Sequence, residues 1–205
     1  MPTERFVSTR LCLAALSLLL TVPVVNAEVL DDEWPRHRVT AYYAHYSPDR
    51  MIDILRLNNP HISGHSQLGA IAYSYRLTEK EANLSWEVEG QIVQHFGGQS
   101  HQEINALITA RWHRFPWNHL VGTTAAFGWG QSHALEVPEL EPRSGSEEDS
   151  TRLLNYLLVE LDFAPPSRPE WGLVLRLHHR SGVFGVYNGV DGGSNFVGAG
   201  LRYSF

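Results

Sequence analysis

The chain has 205 residues, a formal net charge of −6 and a single cysteine, Cys12. Its length suits one domain, and its acidic balance argues against nucleic acid as a partner. Cys12 lies in an N-terminal segment that we expect to be removed, so the remaining chain can form no disulfide and no thiolate metal site.

That segment, residues 1–27, has the features of a secretory signal peptide. Arg5 and Arg10 precede an apolar stretch, and small residues end at Ala27. The apolar stretch is about 15 residues long, whereas a membrane-spanning helix needs roughly 20. We therefore predict a cleaved signal peptide at residues 1–27 and one domain at residues 28–205. No later segment is apolar enough for a spanning helix, so a membrane location has to be argued from strands.

The domain contains eight segments that we predict to be β-strands. They cover residues 38–47, 67–77, 83–96, 101–113, 119–133, 151–163, 170–180 and 195–205. Several alternate apolar and polar residues at a period of two, which places the two kinds on opposite faces of a strand. In the third segment, one face begins with Leu84 and Trp86 while the other carries Glu87 and Glu89. Such a pattern is typical of a strand that has an apolar environment on one face and a polar environment on the other.

Alternation fits both a soluble β-sandwich and a membrane barrel. The charged face carries both signs, as expected for a narrow, hydrogen-bonded lumen. Connection lengths also favour the barrel, because outer-membrane barrels have short inner turns and long outer loops. The connections after even-numbered strands are short, at 78–82, 114–118 and 164–169. Those after odd-numbered strands are mostly long, at 48–66, 134–150 and 181–194, with a short exception at 97–100.

The last predicted strand carries the most specific architectural signal. One of its faces is formed by Val197, Ala199, Leu201, Tyr203 and the final residue, Phe205. This resembles the terminal signature by which outer-membrane barrels are recognised for assembly. Aromatic residues near predicted strand ends suit the lipid headgroup level, and they include Tyr42, Tyr43, Trp86, Trp112, Trp117, Trp129, Trp171 and Tyr203. We therefore expect an all-β fold, an eight-stranded antiparallel transmembrane β-barrel of the cell outer membrane.

A cluster of chemically active residues ends the seventh predicted strand. By parity, His179 and Ser181 continue a lipid-facing row of leucines, while His178 and Arg180 face the lumen. Residues two apart on a strand have Cα atoms roughly 6.6 Å apart, so an imidazole can reach a hydroxyl and act as its base. This position is at the outer rim, where a polar pair on the lipid face suits a lipid substrate.

A third group would orient the imidazole of His179. The returning strand offers Asp191 as the acid, within a glycine-rich turn, and Asn195 is a second candidate through its side-chain carbonyl. The residues themselves leave both alternatives open.

The stretch from Arg176 to Phe205 resembles the C-terminal part of lipid A 3-O-deacylases of the PagL type and of their acyloxyacyl-hydrolase relatives. That family has a His-x-Ser-Asn motif followed by an acid after the next turn, on an eight-stranded barrel. The resemblance implies His179 as base, Ser181 as nucleophile and Asp191 as acid. Gly182 stands where the family has the Asn of its oxyanion hole, so we expect the donors to be backbone N–H groups near Gly182 or the amide of Asn195.

The remaining titratable residues predict no metal site, and the proposed chemistry requires no cofactor. His61 and His65 are four apart but lie in a predicted loop, which does not favour a ligand pair. His95, His101 and His133 are expected to be solvated residues of the outer rim. The acidic stretch 136–149 predicts an outer loop, either simply solvated or in contact with divalent cations or lipopolysaccharide.

These features favour a lipid A deacylase, an outer-membrane ester hydrolase with a Ser-His-acid mechanism whose partner is the lipopolysaccharide of the outer leaflet. The alternative is a non-catalytic structural or adhesive barrel of the same fold, whose acidic loops carry the function. A pore ranks last, because side chains fill the lumen of an eight-stranded barrel. A homodimer is left open.

Overall fold

The computed structural model describes residues 35–78, 83–139, 151–187, 189–190 and 192–205, so the predicted signal peptide lies outside the described residues. The strands are β1 (His37–Ser47), β2 (Ser63–Arg76), β3 (Leu84–Gly97), β4 (Gln102–Trp112), β5 (Gly122–Ala134), β6 (Leu153–Ala164), β7 (Trp171–Ser181) and β8 (Gly193–Ser204). A short helix that the sequence did not predict, α1 (Met51–Leu55), follows β1. Among the described residues, no helix is long and apolar enough to cross a membrane.

The eight strands form a closed barrel in which each strand pairs with its neighbour in the chain. Every pairing is antiparallel, and β8 closes the barrel on β1 with Ser204 opposite Arg38 and Asn195 opposite Ser47. This confirms the predicted eight-stranded antiparallel barrel. The largest difference in strand bounds is at β2, which begins at Ser63 instead of residue 67, because the residues before Gln67 lack the alternation that marked the other strands.

The two faces of the barrel wall have opposite polarity. Large apolar side chains are exposed on the outer face, among them Ile92 at 69%, Leu201 at 60% and Trp129 at 58%. Charged residues such as Glu160 and Arg176 are almost fully buried inside. This is the reverse of a water-soluble protein and is the arrangement that a bilayer requires of a barrel. Tyr42 was expected at the lipid headgroup level, and this prediction is wrong. The side chain faces the lumen and is 5% exposed.

Ion pairs fill the lumen from the inner end to the middle. Arg176 holds Glu89 through both terminal nitrogens, each at 3.0 Å, and also pairs with Glu160. Arg111 pairs with Glu87 at 2.9 Å and with Glu160 at 2.8 Å. These contacts satisfy charges that would be costly to bury alone, and the space they take weighs against a pore.

Candidate active site

The outer end of β7 presents its side chains as the parity of the strand predicted. His178 and Arg180 are buried in the lumen. His179 and Ser181 are half-buried on the opposite, outward face, which continues the row that carries the exposed side chains of Leu173 and Leu175. The even strand number places this end of the barrel opposite the end that holds both termini.

His179 has a defined partner on β8. Its Nδ1 lies 2.7 Å from Oδ1 of Asn195, the residue directly opposite in the strand register. The Asn195 Nδ2 atom donates to the backbone carbonyl of Asp49 at 2.8 Å, which fixes the orientation of the amide. Because the amide oxygen then accepts, we assign the proton of the neutral imidazole to Nδ1, and the Nε2 atom of His179 keeps a lone pair.

The outer loop between β1 and β2 supports this pair. The backbone N–H of His61 donates to the Asp49 carboxylate at 2.5 Å, and its ring Nδ1 lies 3.3 Å from the same carboxylate. The backbone hydrogen bond from His61 holds the pKa of the Asp49 carboxyl below its usual value. A chain of contacts therefore runs from this loop through the Asp49 carbonyl and Asn195 to His179.

Ser181 lies beside His179 on the same face without a direct hydrogen bond between them in the part of the chain that the structure describes. Its Oγ accepts from the backbone N–H of Val183 at 3.4 Å, which is a long contact. Catalytic hydrogen bonds are often loose in the absence of substrate. Asp191, which the family resemblance implied as the acid, lies outside the described residues, so its role stays a prediction.

Gly182 is required by the close approach of the returning chain. A Cβ atom at this position would collide with the backbone carbonyl of Val190, so the asparagine of the related motif does not fit here. The Gly182 N–H already donates to the carbonyl of Gly192 at 2.9 Å. The expected oxyanion donor at this N–H is therefore occupied in the structure.

Asn155 on β6 is a site residue that the sequence analysis did not identify. It lies directly opposite Ser181 in the β6–β7 register, so the two side chains share the outward face. Its side chain is buried, at 3% exposed, and its Oδ1 has no hydrogen-bond partner. Because an oxyanion needs a donor, the Nδ2–H group of Asn155, opposite Ser181, is the candidate to replace the missing asparagine. The sequence contained a signal that could have identified Asn155, because this polar residue interrupts the apolar row of its strand.

The histidines of the outer rim do not all lie in solvent. His61, His65 and His133 are exposed. The same prediction is wrong for His95 and His101, which are buried in the lumen at 0% and 5% exposed. His95 lies on β3 and His101 directly before β4, and both side chains turn inward.

The predicted acidic outer loop is described only in part. Glu136 and Glu139 are exposed, while residues 140–150 lie outside the described residues.

No protein-family model matches this sequence, and no curated protein matches it. Among solved structures, the chain is similar to the outer membrane enzyme PagL, with a TM-score of 0.55 and 9% identity, over 80% of this chain and 97% of that chain. It is also similar to Neisserial surface protein A (NspA; TM-score 0.49, 15% identity, 82% and 97% of the chains). A third is the N-terminal β-barrel domain of Pseudomonas aeruginosa OprF (TM-score 0.47, 11% identity, 84% and 99%). At 9% identity the likeness to PagL shows the fold alone.

Proposed function

We propose that this protein is an outer-membrane esterase that removes an acyl chain from lipid A. The observation that carries the proposal is the contact of 2.7 Å between His179 Nδ1 and Asn195 Oδ1 on the outward face, next to Ser181. An imidazole held by its Nδ1–H and left with a free lone pair on Nε2 is the arrangement that general-base activation of a serine needs. Such a polar group on a lipid-facing wall is costly unless it serves a substrate in the bilayer.

The reaction would proceed through an acyl-enzyme. Ser181 Oγ attacks the ester carbonyl while His179 Nε2 takes its proton, and the negative oxygen of the tetrahedral intermediate accepts a hydrogen bond from Asn155. The intermediate expels the sugar alcohol, which takes the proton from His179. Water, activated by the same imidazole, then hydrolyses the acyl-enzyme and releases the fatty acid. Protein residues alone supply the groups for these steps.

The substrate side of the proposal rests on the position of the site. Exposed leucines, among them Leu173 and Leu175, line the wall between the site and the inner end of β7. The acyl chains of lipid A would lie along this apolar row with their ester groups at the outer rim. The proposal includes export through cleavage of residues 1–27 and insertion as a multi-pass barrel in the outer membrane, with lipopolysaccharide of the outer leaflet as the partner.

The test is mass spectrometry of lipid A from cells that express the wild-type chain or Ser181→Ala. The wild type should remove one acyl group, and Ser181→Ala should leave lipid A intact while the barrel still folds. Ser63→Ala is a matched control, because Ser63 also lies at the outer end of a strand and its Oγ accepts a backbone N–H two residues on, at 3.2 Å. Ser63→Ala should deacylate like the wild type.

Identical lipid A from the wild type and Ser181→Ala would overturn the esterase and favour the non-catalytic barrel. One observation favours the non-catalytic barrel. Within the described residues, His179 and Ser181 do not form a hydrogen bond with each other. Identical profiles would then assign the function to the outer loops.

A further inference from the structure

A second polar cluster lies inside the barrel, separated from the candidate active site by the wall of β7. Three histidines, His95 from β3, His101 before β4 and His178 from β7, surround the carboxylate of Glu103 on β4. All four side chains are buried. The esterase proposal does not use any of them.

The ring nitrogens converge on one carboxylate. The Nε2 atoms of His95 and His101 lie 2.8 Å and 3.3 Å from Glu103 Oε1, and the Nε2 atom of His178 lies 3.2 Å from Oε2. Zn–N bonds of about 2.0–2.1 Å place the ligand atoms of a tetrahedral zinc site about 3.3 Å apart. One ligand atom each from His95, His101 and Glu103 lies within 4.8 Å of the others, close enough for the three to share an ion. His178 is outside this group, so its Nε2 must move closer to the other two imidazoles to complete the set.

The tautomer of His178 supplies independent support. The Nε2 atom of Gln91 donates to Glu89 Oε1 at 2.7 Å, so Gln91 Oε1 is an acceptor. The hydroxyls of Tyr42 and Tyr156 donate to that oxygen at 3.0 Å and 3.2 Å. Their own oxygens lie 3.1 Å and 3.2 Å from Nδ1 of His178 and accept its proton when both hydroxyls donate to Gln91. This arrangement assigns the proton of the neutral His178 ring to Nδ1.

The other nitrogen of His178 then faces Glu103 with a lone pair. Its Nε2 is fully buried and has no hydrogen-bond partner, although a carboxylate oxygen lies 3.2 Å away. Two electron-rich atoms that face each other in a buried site repel unless a proton or a metal ion lies between them. Metal-ligating histidines characteristically donate the proton of the other ring nitrogen to an acceptor, as His178 does to the tyrosines.

We propose that His95, His101, His178 and Glu103 form a binding site for a divalent transition metal ion, of which Zn²⁺ fits the imidazole-rich ligand set. Binding requires the ring protons of His95 and His101 to move from Nε2, where the carboxylate accepts them in the structure as it stands, to Nδ1, so that both ligands stay neutral. Arg180 opposes binding, since its Nη1 lies 3.6 Å from Glu103 Oε1. The site ties β3, β4 and β7 together across the outer end of the lumen.

The test is a titration of the untagged full-length barrel in detergent, stripped with a chelator, with Co²⁺ and then Zn²⁺. We expect visible absorption bands of tetrahedral Co²⁺ that saturate at about one equivalent and disappear when Zn²⁺ displaces the Co²⁺. His61→Ala with His65→Ala is the control for exposed histidines and should bind like the wild type. Glu103→Gln should weaken binding at least about 100-fold, with folding checked by circular dichroism.

A second variant keeps the proposal testable where Glu103→Gln does not fold. Tyr42→Phe removes one acceptor of the His178 Nδ1–H and should weaken Co²⁺ binding about 10-fold. A wild-type barrel that shows no saturable Co²⁺ band would overturn the proposal and leave a proton between His178 and Glu103. Binding that is lost only in the His61 and His65 control would also overturn it. Ser181→Ala should bind Co²⁺ like the wild type, which separates this site from the esterase.

Discussion

His179 and Asn195 lie opposite each other on β7 and β8, and their side chains meet at 2.7 Å on the outward face of the barrel. The contact leaves His179 with a lone pair on Nε2, the atom proposed to act as the base for Ser181. Removal of the amide by Asn195→Ala should lower kcat/KM for deacylation about 10- to 100-fold, the value of one hydrogen bond to an ionising group. Rates on purified lipid A measure this.

Asn195→Asp is the comparison variant, because it keeps an oxygen acceptor for His179 and loses the donor to the Asp49 carbonyl. It should retain more activity than Asn195→Ala. An Asn195→Ala barrel with the wild-type rate would show that another group, such as Asp191, orients the imidazole.

Asn155 should act on the reacting carbonyl. Asn155→Ala is expected to lower kcat about 100-fold with little change in KM, because a donor to a developing oxyanion acts in the transition state. Asn105→Ala is a matched control, since Asn105 is also buried with an unpartnered Oδ1 but faces the lumen. Equal rates for the two variants would remove Asn155 from the mechanism.

Gly182→Asn restores the asparagine of the related motif in sequence but should lower activity. The new Cβ meets the Val190 carbonyl, so the turn after β7 must shift by more than a side-chain rotation. We expect a loss of about 1–3 kcal/mol in unfolding free energy, together with displacement of Ser181. Urea unfolding and deacylation rates measure the two effects, and a gain of activity would contradict the steric argument.

Arg176 should be a main contributor to barrel stability. Arg176→Met leaves the buried carboxylates of Glu89 and Glu160 without a shared cation, which should cost about 3–5 kcal/mol in unfolding free energy. Arg168→Met is the control, because the ion pair of Arg168 with Glu170 is solvent-exposed, and it should cost less than about 1 kcal/mol. Similar urea midpoints for the two variants would refute the role of the lumen ion pairs.

The predicted and observed strand bounds show how accurately the period-two pattern located the strands. Seven of the eight predicted strands lie within three residues of the observed ends. The exceptions, the start of β2 and the helix Met51–Leu55, are in the outer loop, where alternation is absent and contacts with the barrel determine the backbone. Tyr42 was misassigned because a tyrosine suits both a headgroup interface and a polar lumen.

The sequence by itself determined the number of strands, the two faces of the wall and the placement of His179 and Ser181 on one outward row. A period of two depends only on the pleat of a single strand, so these features can be read locally. The contact of Asn195 with His179 and the position of Asn155 opposite Ser181 required the register between strands. The meeting of His178 with His95, His101 and Glu103 was decided only by closure of the barrel, because it joins strands that are distant in the chain and adjacent only across the lumen.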